Sequence, residues 1–202
     1  MPSTLDPATL GPATLGPATL DPATLDPVMR SLAGSAALDR AAELVARIGR
    51  GAPLRLARSA RDVLGHPAHP AFTDIPIGFW TSAWFLDLLP GRAATAVAAR
   101  RLLGLGVLSS VPAIISGLGD AAGLTHPERR LSATHAGLNG AATAAFTLSW
   151  LMRRNNTTTK ARLVAHLGAA LATAAAPIGG HLAFRSRDSL ERDSTAASMP
   201  EV

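Results

Sequence analysis

In 202 residues, 48% of them hydrophobic, the chain carries 18 arginines, one lysine and 14 acids, for a net charge of +5, and it has no cysteine. The missing thiols exclude disulfides, thiolate zinc sites and iron–sulfur clusters held by this chain alone. The arginines stand in pairs between apolar runs and tyrosine is absent, so the expected counter-charge is the lipid headgroup and not nucleic acid.

Residues 1–30 are dominated by a five-residue repeat, STLDPATLGPATLGPATLDPATLDP from Ser3 to Pro27. A proline in every period prevents both helix continuation and strand pairing, so this stretch is expected to be a disordered tail. It has no charged segment followed by an apolar one, hence no cleavable signal peptide is expected. Residues 31–62 form a basic amphipathic helical segment. Leu38, Ala41, Val45 and Ile48 recur at helical spacing, with Asp39, Arg40, Glu43, Arg47 and Arg50 on the other faces. Arg55, Arg58 and Arg61 then follow at three-residue intervals, as on a helix lying at a membrane surface.

The membrane domain is expected over residues 63–186, with apolar segments at about Thr73–Leu89, Arg101–Leu118, Leu131–Met152 and Ala161–Phe184. Each approaches the roughly 20 residues that cross a bilayer, and charged residues gather at the breaks. The fold expected is all-α: a four-helix transmembrane bundle preceded by the amphipathic helix and the repeat tail, with a second disordered tail at 187–202. Small residues every fourth position, Gly137, Ala141, Ala145 and Ser149 in the third segment and Gly168, Ala172, Ala176 and Gly180 in the fourth, are the expected contact stripes. Gly104-Leu105-Gly106 lacks the features of a nucleotide loop and reads as packing.

Four spans place the start of the first and third and the end of the second and fourth in one leaflet. That levels His66, His69 and Asp74 with Asp120, His126, His135, Asn139 and His181, and it puts Asp87 and His166 at the other side. Asn139 lies four residues after His135, on the same helical face. Each of His66 and His69 precedes a proline, which favours an extended arm. Asp74 is positioned to cap the first span ahead of Ile75-Pro76, and Asp87 to pair with Arg92 or Arg100. Basic residues near the span ends are balanced between the two sides. The termini are assigned to the cytoplasmic face of the plasma membrane because nothing translocates the N-terminal tail.

GHPAHPAFTDIPIGFWTSAWFLDLL, followed by THAGLN at Thr134 to Asn139 and GGHL at Gly179 to Leu182, resembles the bacterial membrane family catalogued as domain of unknown function 2231. The resemblance runs from about Leu38 to Phe184 and implies a four-helix membrane protein without an established activity. Some relatives look like fusions to a C-terminal Rieske iron–sulfur domain; in a chain without cysteine, such a partner has to be a separate protein.

Three functions stay open at this level. A non-catalytic membrane scaffold or assembly subunit uses the His/Asp/Asn cluster as a polar network between helix ends. A redox module serving an electron-transfer partner holds haem b, or a metal ion, through paired histidines, with His135 and His181 first and His66 and His69 as substitutes. A small ion or proton transporter uses Asp74, Asp87 and the histidines, although no acid lies between Leu131 and Phe184. An enzyme with a soluble substrate is not expected, quinone chemistry and association with a second copy being left open.

Overall fold

The computed structural model describes residues 22–51, 69–89, 93–154 and 158–197, with side chains over 26–51, 69–89, 95–154 and 158–183. These residues are all-α. Helix α1 spans Pro22–Gly34, a 3-10 turn Ala36–Leu38, α2 Asp39–Gly49, α3 His69–Leu88, α4 Ala93–Ala121, α5 His126–Met152 and α6 Thr159–Ala197. The basic stretch with Arg55, Arg58 and Arg61, as well as His66 and Arg92, lies outside the described residues.

Two helices are long and apolar enough to cross a membrane, Thr95–Ala121 with a mean hydropathy of 1.8 and Thr159–Ala183 with 1.4. The expectation of four is therefore met by two on that measure. Helices α3 and α5 fall short because α3 is interrupted by Pro76, Asp74 and Asp87, and because α5 opens on Glu128, Arg129 and Arg130 and is otherwise rich in Gly, Ala, Thr and Ser. The distribution of side chains is nevertheless the reverse of a soluble core. The buried positions are mostly small, among them Ala83, Ala99, Ala142, Ala161, Ala165, Ser110, Ser116 and Ser149. Large apolar residues such as Ile77, Phe85, Leu105, Leu108, Leu148, Leu163 and Leu167 face outward from all four long helices. Water disfavours such a surface, and lipid accepts it.

The long helices form two hairpins, α3 with α4 and α5 with α6; α4 also packs on α5, and α3 on α6. The hairpins are two copies of one pattern, which the sequence reading missed. Adding 66 to a position in α3 gives its counterpart in α5, so that His69 matches His135, Thr81 matches Thr147 and Trp84 matches Trp150. Adding 62 in α4 gives α6, where Ala99, Arg100, Gly106, Ala113 and Gly117 match Ala161, Arg162, Gly168, Ala175 and Gly179. The contacts repeat with the residues. The His69 ring bonds the Ala113 carbonyl and the His135 ring the Ala175 carbonyl. Gly106 faces Trp80, and Gly168 faces Phe146. Trp84 meets His166 on α6, and Trp150 meets the equivalent Gly104 on α4. The two glycines of Gly104-Leu105-Gly106 thus serve packing, as expected.

Three pairs of equivalent residues touch each other: His69 with His135, Trp80 with Phe146, and Asp87 with Arg153. Equivalent residues in contact lie on the pseudo-two-fold axis that relates the copies. Because the pairs succeed one another from the start to the end of both helices, α3 and α5 run parallel along this axis, with α4 and α6 antiparallel to them.

Helix α1 begins at Pro22, and its Met29 is buried with Leu131 and Ile178. The α2 face against the bundle is the smaller-residue one, Ala42, Ala46 and Gly49, where Gly49 meets the Leu118 carbonyl; Leu44 and Ile48 face out. At the far end, α6 continues to Ala197.

The buried stripes also differ from those expected. In α5 the buried line is Ala142, Phe146 and Ser149, with Gly137 and Ala141 facing out; in α6 it is Ala161, Ala165, Gly168 and Ala175, with Ala176 facing out. Spacing by fours alone drifts around a helix of 3.6 residues per turn, and the real lines alternate threes and fours.

Candidate functional site

The site is the axis itself, read from the end where α3 and α5 begin. His69 is the first residue of α3, so the prolines on either side of it do not hold it in an extended arm; Pro70 occupies the first turn, where the missing N–H costs nothing. Its Nδ1 donates to the Ala113 carbonyl at 2.9 Å, and the Ser116 hydroxyl lies 3.4 Å from the same nitrogen. His135, ten residues into α5, donates Nδ1–H to the Ala175 carbonyl at 3.0 Å. The two ring centroids are 6.3 Å apart with the planes at 83°. Gly117 and Gly179 make the rooms for these rings, since a Cβ at either would strike Cε1 of the histidine. Asn139 meets the expectation of a shared face: its side-chain nitrogen donates to the His135 carbonyl at 3.0 Å and lies 3.2 Å from Nε2.

His181 is half-buried in α6 and makes no hydrogen bond or ring contact among the described residues. The histidine brought to His135 is therefore His69, not His181. Sequence spacing placed His181 at the right depth, but it lies about 200° around the helix from Gly179, the residue that faces His135. His66 lies outside the described residues. Asp74 is exposed in the second turn of α3 and does not cap it, because the helix starts five residues earlier; the Thr73 hydroxyl donates to the Pro70 carbonyl. Asp120 is half-buried in the last turn of α4. His126 is exposed, 4.0 Å from Asp39. Among the described residues, no three His, Asp or Glu side chains gather as a metal site.

Further along the axis, Trp80 stacks on Phe146 at 4.3 Å with the rings 16° from parallel. At the far end Asp87 meets Arg153 in a two-pronged pair, 2.7 Å to Oδ1 and 2.6 Å to Oδ2. The Arg153 side chain is 0% exposed and that of Asp87 2%. Arg153 Nε also donates to Ser149 Oγ, which donates to the Ala161 carbonyl, so three helices are tied at one point. Arg162 Nε stands 3.8 Å from Asp87 Oδ1. The expectation of Arg92 or Arg100 as partner is thus corrected to Arg153, with Arg162 second. Arg153 stands at the same level as Asp87 in the sequence, and it is packing, not proximity in sequence, that selects it. The equivalent Arg100 and Arg162 each bury an Nε without a hydrogen-bond acceptor among the described residues, as His166 does with Nδ1.

At the histidine end, α1 and α2 are clamped to α5. Arg130 donates Nε to Asp39 Oδ1 at 2.7 Å and one terminal nitrogen to Oδ2 at 3.1 Å, and a further terminal nitrogen reaches the Ala33 carbonyl. The Arg130 hydrogen bond holds the Asp39 carboxyl below its ordinary range against the opposing effect of desolvation, with the charges of Arg130 and His126 acting in the same direction as the bond.

The profile of a family described as "Predicted membrane protein (DUF2231)" matches residues 65–187, the four-helix portion. No curated protein and no solved structure matches the chain.

Proposed function

We propose that this chain, which belongs to the DUF2231 family of predicted membrane proteins, is a non-catalytic membrane scaffold or assembly subunit whose four long helices all cross the plasma membrane. The observation that carries the reading is the axis. His69/His135, Trp80/Phe146 and Asp87/Arg153 follow one another along it, each a contact between the two copies of the hairpin. A centre filled with packed rings and closed by an ion pair holds helices in register. A transport path needs instead a row of exchangeable carriers or a wet cavity.

Two arguments support four crossings. Helices α4 and α6, the two that qualify by length and hydropathy, run parallel, so if both cross, α5 between them must return. The outward apolar residues on α3 and α5, Ile75, Ile77, Phe85, Leu148 and Leu151, match those on α4 and α6. The termini then share one side, which we assign to the cytoplasm. Under this reading the partners are the bilayer and whatever subunit the outer face or the α1–α2 platform holds.

The test is removal of one axis tie. Asp87→Asn in the full-length chain, purified in detergent, is expected to lower the melting temperature and to loosen pull-down of co-purifying membrane proteins together with it. Unchanged stability and unchanged co-purification would overturn the scaffold reading. Loss of a proton or ion flux in proteoliposomes would replace it with transport.

A further inference from the structure

We propose that His69 and His135 together bind one divalent transition-metal ion, of the class that prefers imidazole, through their Nε2 atoms. The inference goes beyond the scaffold reading and does not depend on it.

The tautomers come first. A backbone carbonyl can only accept a hydrogen bond, so Nδ1 of each ring, at 2.9 Å and 3.0 Å from a carbonyl oxygen, carries the proton. The remaining nitrogen, Nε2, therefore presents a lone pair. This is the arrangement by which proteins prepare histidine ligands, one nitrogen fixed by a second partner so that the other is oriented and made more basic. It occurs twice here, at equivalent positions of the two hairpins. In each copy the carbonyl is followed four residues later by a glycine that seats the ring, Ala113 with Gly117 and Ala175 with Gly179.

The spacing comes second. An ion about 2.0–2.1 Å from each nitrogen, with each nitrogen about 1.2 Å from its ring centre, sets the two centroids between about 5.3 Å at a tetrahedral angle and about 6.5 Å in line. The observed separation is 6.3 Å. Rings that pack edge to face occupy the same range; what marks this pair is its place on the axis with both Nδ1 atoms turned away into carbonyls.

The donor set selects the ion. Neutral nitrogens suit Co, Ni, Cu and Zn and are poor ligands for Mg or Ca, which require oxygen. Asn139 is the remaining polar group at the ring of His135. Its amide nitrogen donates to the His135 carbonyl and stands beside Nε2, so it moves aside when the ion enters, and water completes the set. With two protein ligands and no carboxylate among them, the site is open, not a closed structural centre.

The test uses Co2+ as the probe, titrated into the detergent-purified full-length chain and followed by its visible absorption, with Zn2+ as competitor. One Co2+ per chain, displaced by Zn2+, is expected, with affinity lowered at least tenfold in both His69→Ala and His135→Ala and unchanged in His181→Ala. Absence of stoichiometric binding in the native chain, or binding that survives either His69→Ala or His135→Ala, would overturn the proposal. Should either variant fail to fold, the imidazole 15N resonances of the native chain decide. Zn2+ must move two Nε2 signals and leave the Nδ1 signals protonated, and a spectrum in which no Nε2 signal moves refutes the site.

Discussion

Asp87 and Arg153 occupy the same position in the two hairpins and yet carry opposite charges, meeting across the axis in a bidentate pair that solvent hardly reaches. Breaking a buried pair by removing one partner leaves the other charge without compensation, at a cost of about 3–5 kcal/mol. That is several times the roughly 0.6 kcal/mol measured on average for neutral interhelical hydrogen bonds in membranes. Both Asp87→Ala and Arg153→Ala are thus expected to destabilise by about 3 kcal/mol or more, measured by denaturation in mixed micelles.

The pseudo-symmetry gives a sharper form of the same experiment. In the double exchange Asp87→Arg with Arg153→Asp, the acid moves to the copy whose neighbouring base is Arg100, equivalent to Arg162. Stability is expected to recover to within about 1–2 kcal/mol of the native chain, whereas each single charge reversal is expected to be worse than the corresponding alanine. Failure of the double exchange to recover would mean that the two arginines are not interchangeable.

Equivalent glycines predict unequal costs. A Cβ at Gly106 would overlap the Trp80 indole, while one at Gly168 meets Phe146 and the Ala142 carbonyl at 3.2 Å. Gly106→Ala should cost about 1–3 kcal/mol and Gly168→Ala less than about 1 kcal/mol, in the same denaturation assay. The order of the two, more than either value, is what the packing predicts.

For the clamp between Asp39 and Arg130 the expectation concerns pH. The carboxyl is held below its ordinary range in the folded chain, so the contribution to docking is complete above the usual aspartate value of about 3.9. It is lost as the pH falls through the lower folded value. Amide exchange in α2 should remain slow from neutral pH down to about 4 and speed up below it beyond the intrinsic trend. Asp39→Asn should show faster exchange at neutral pH and no such acid step.

Membrane crossing is open to direct labelling because the chain has no cysteine of its own. Gly123→Cys, after α4, and Thr158→Cys, before α6, are expected to react with an impermeant maleimide from opposite sides of sealed vesicles. Labelling of both from one side would refute the crossing of α5.

What could be read in advance followed from hydropathy and helical spacing. The breaks between the long helices, the pairing of Asn139 with His135 and the common level of His69 and His135 all come from counting residues along helices. Which way a side chain points around a helix is set by the neighbour it packs on, and there depth alone misled. His181 stood at the right level with the wrong azimuth, and Asp87 was assigned to the nearest base in sequence when the bond runs to Arg153. The hairpin duplication was present in the sequence as His69/His135, Trp84/Trp150 and Arg100/Arg162, but few identities are spread over long, Ala-rich segments. Only repeated contacts make them conspicuous.

Two identical hairpins could assemble about the same axis, but not with these residues. A second copy of α3–α4 in place of α5–α6 would bring two Asp87 carboxylates face to face, and a second copy of α5–α6 would oppose two Arg153 guanidiniums, each a repulsion buried away from water. The opposite charges therefore do more than bind: they make each kind of hairpin recognise the other kind and reject its own, which fixes the order of the halves around the axis.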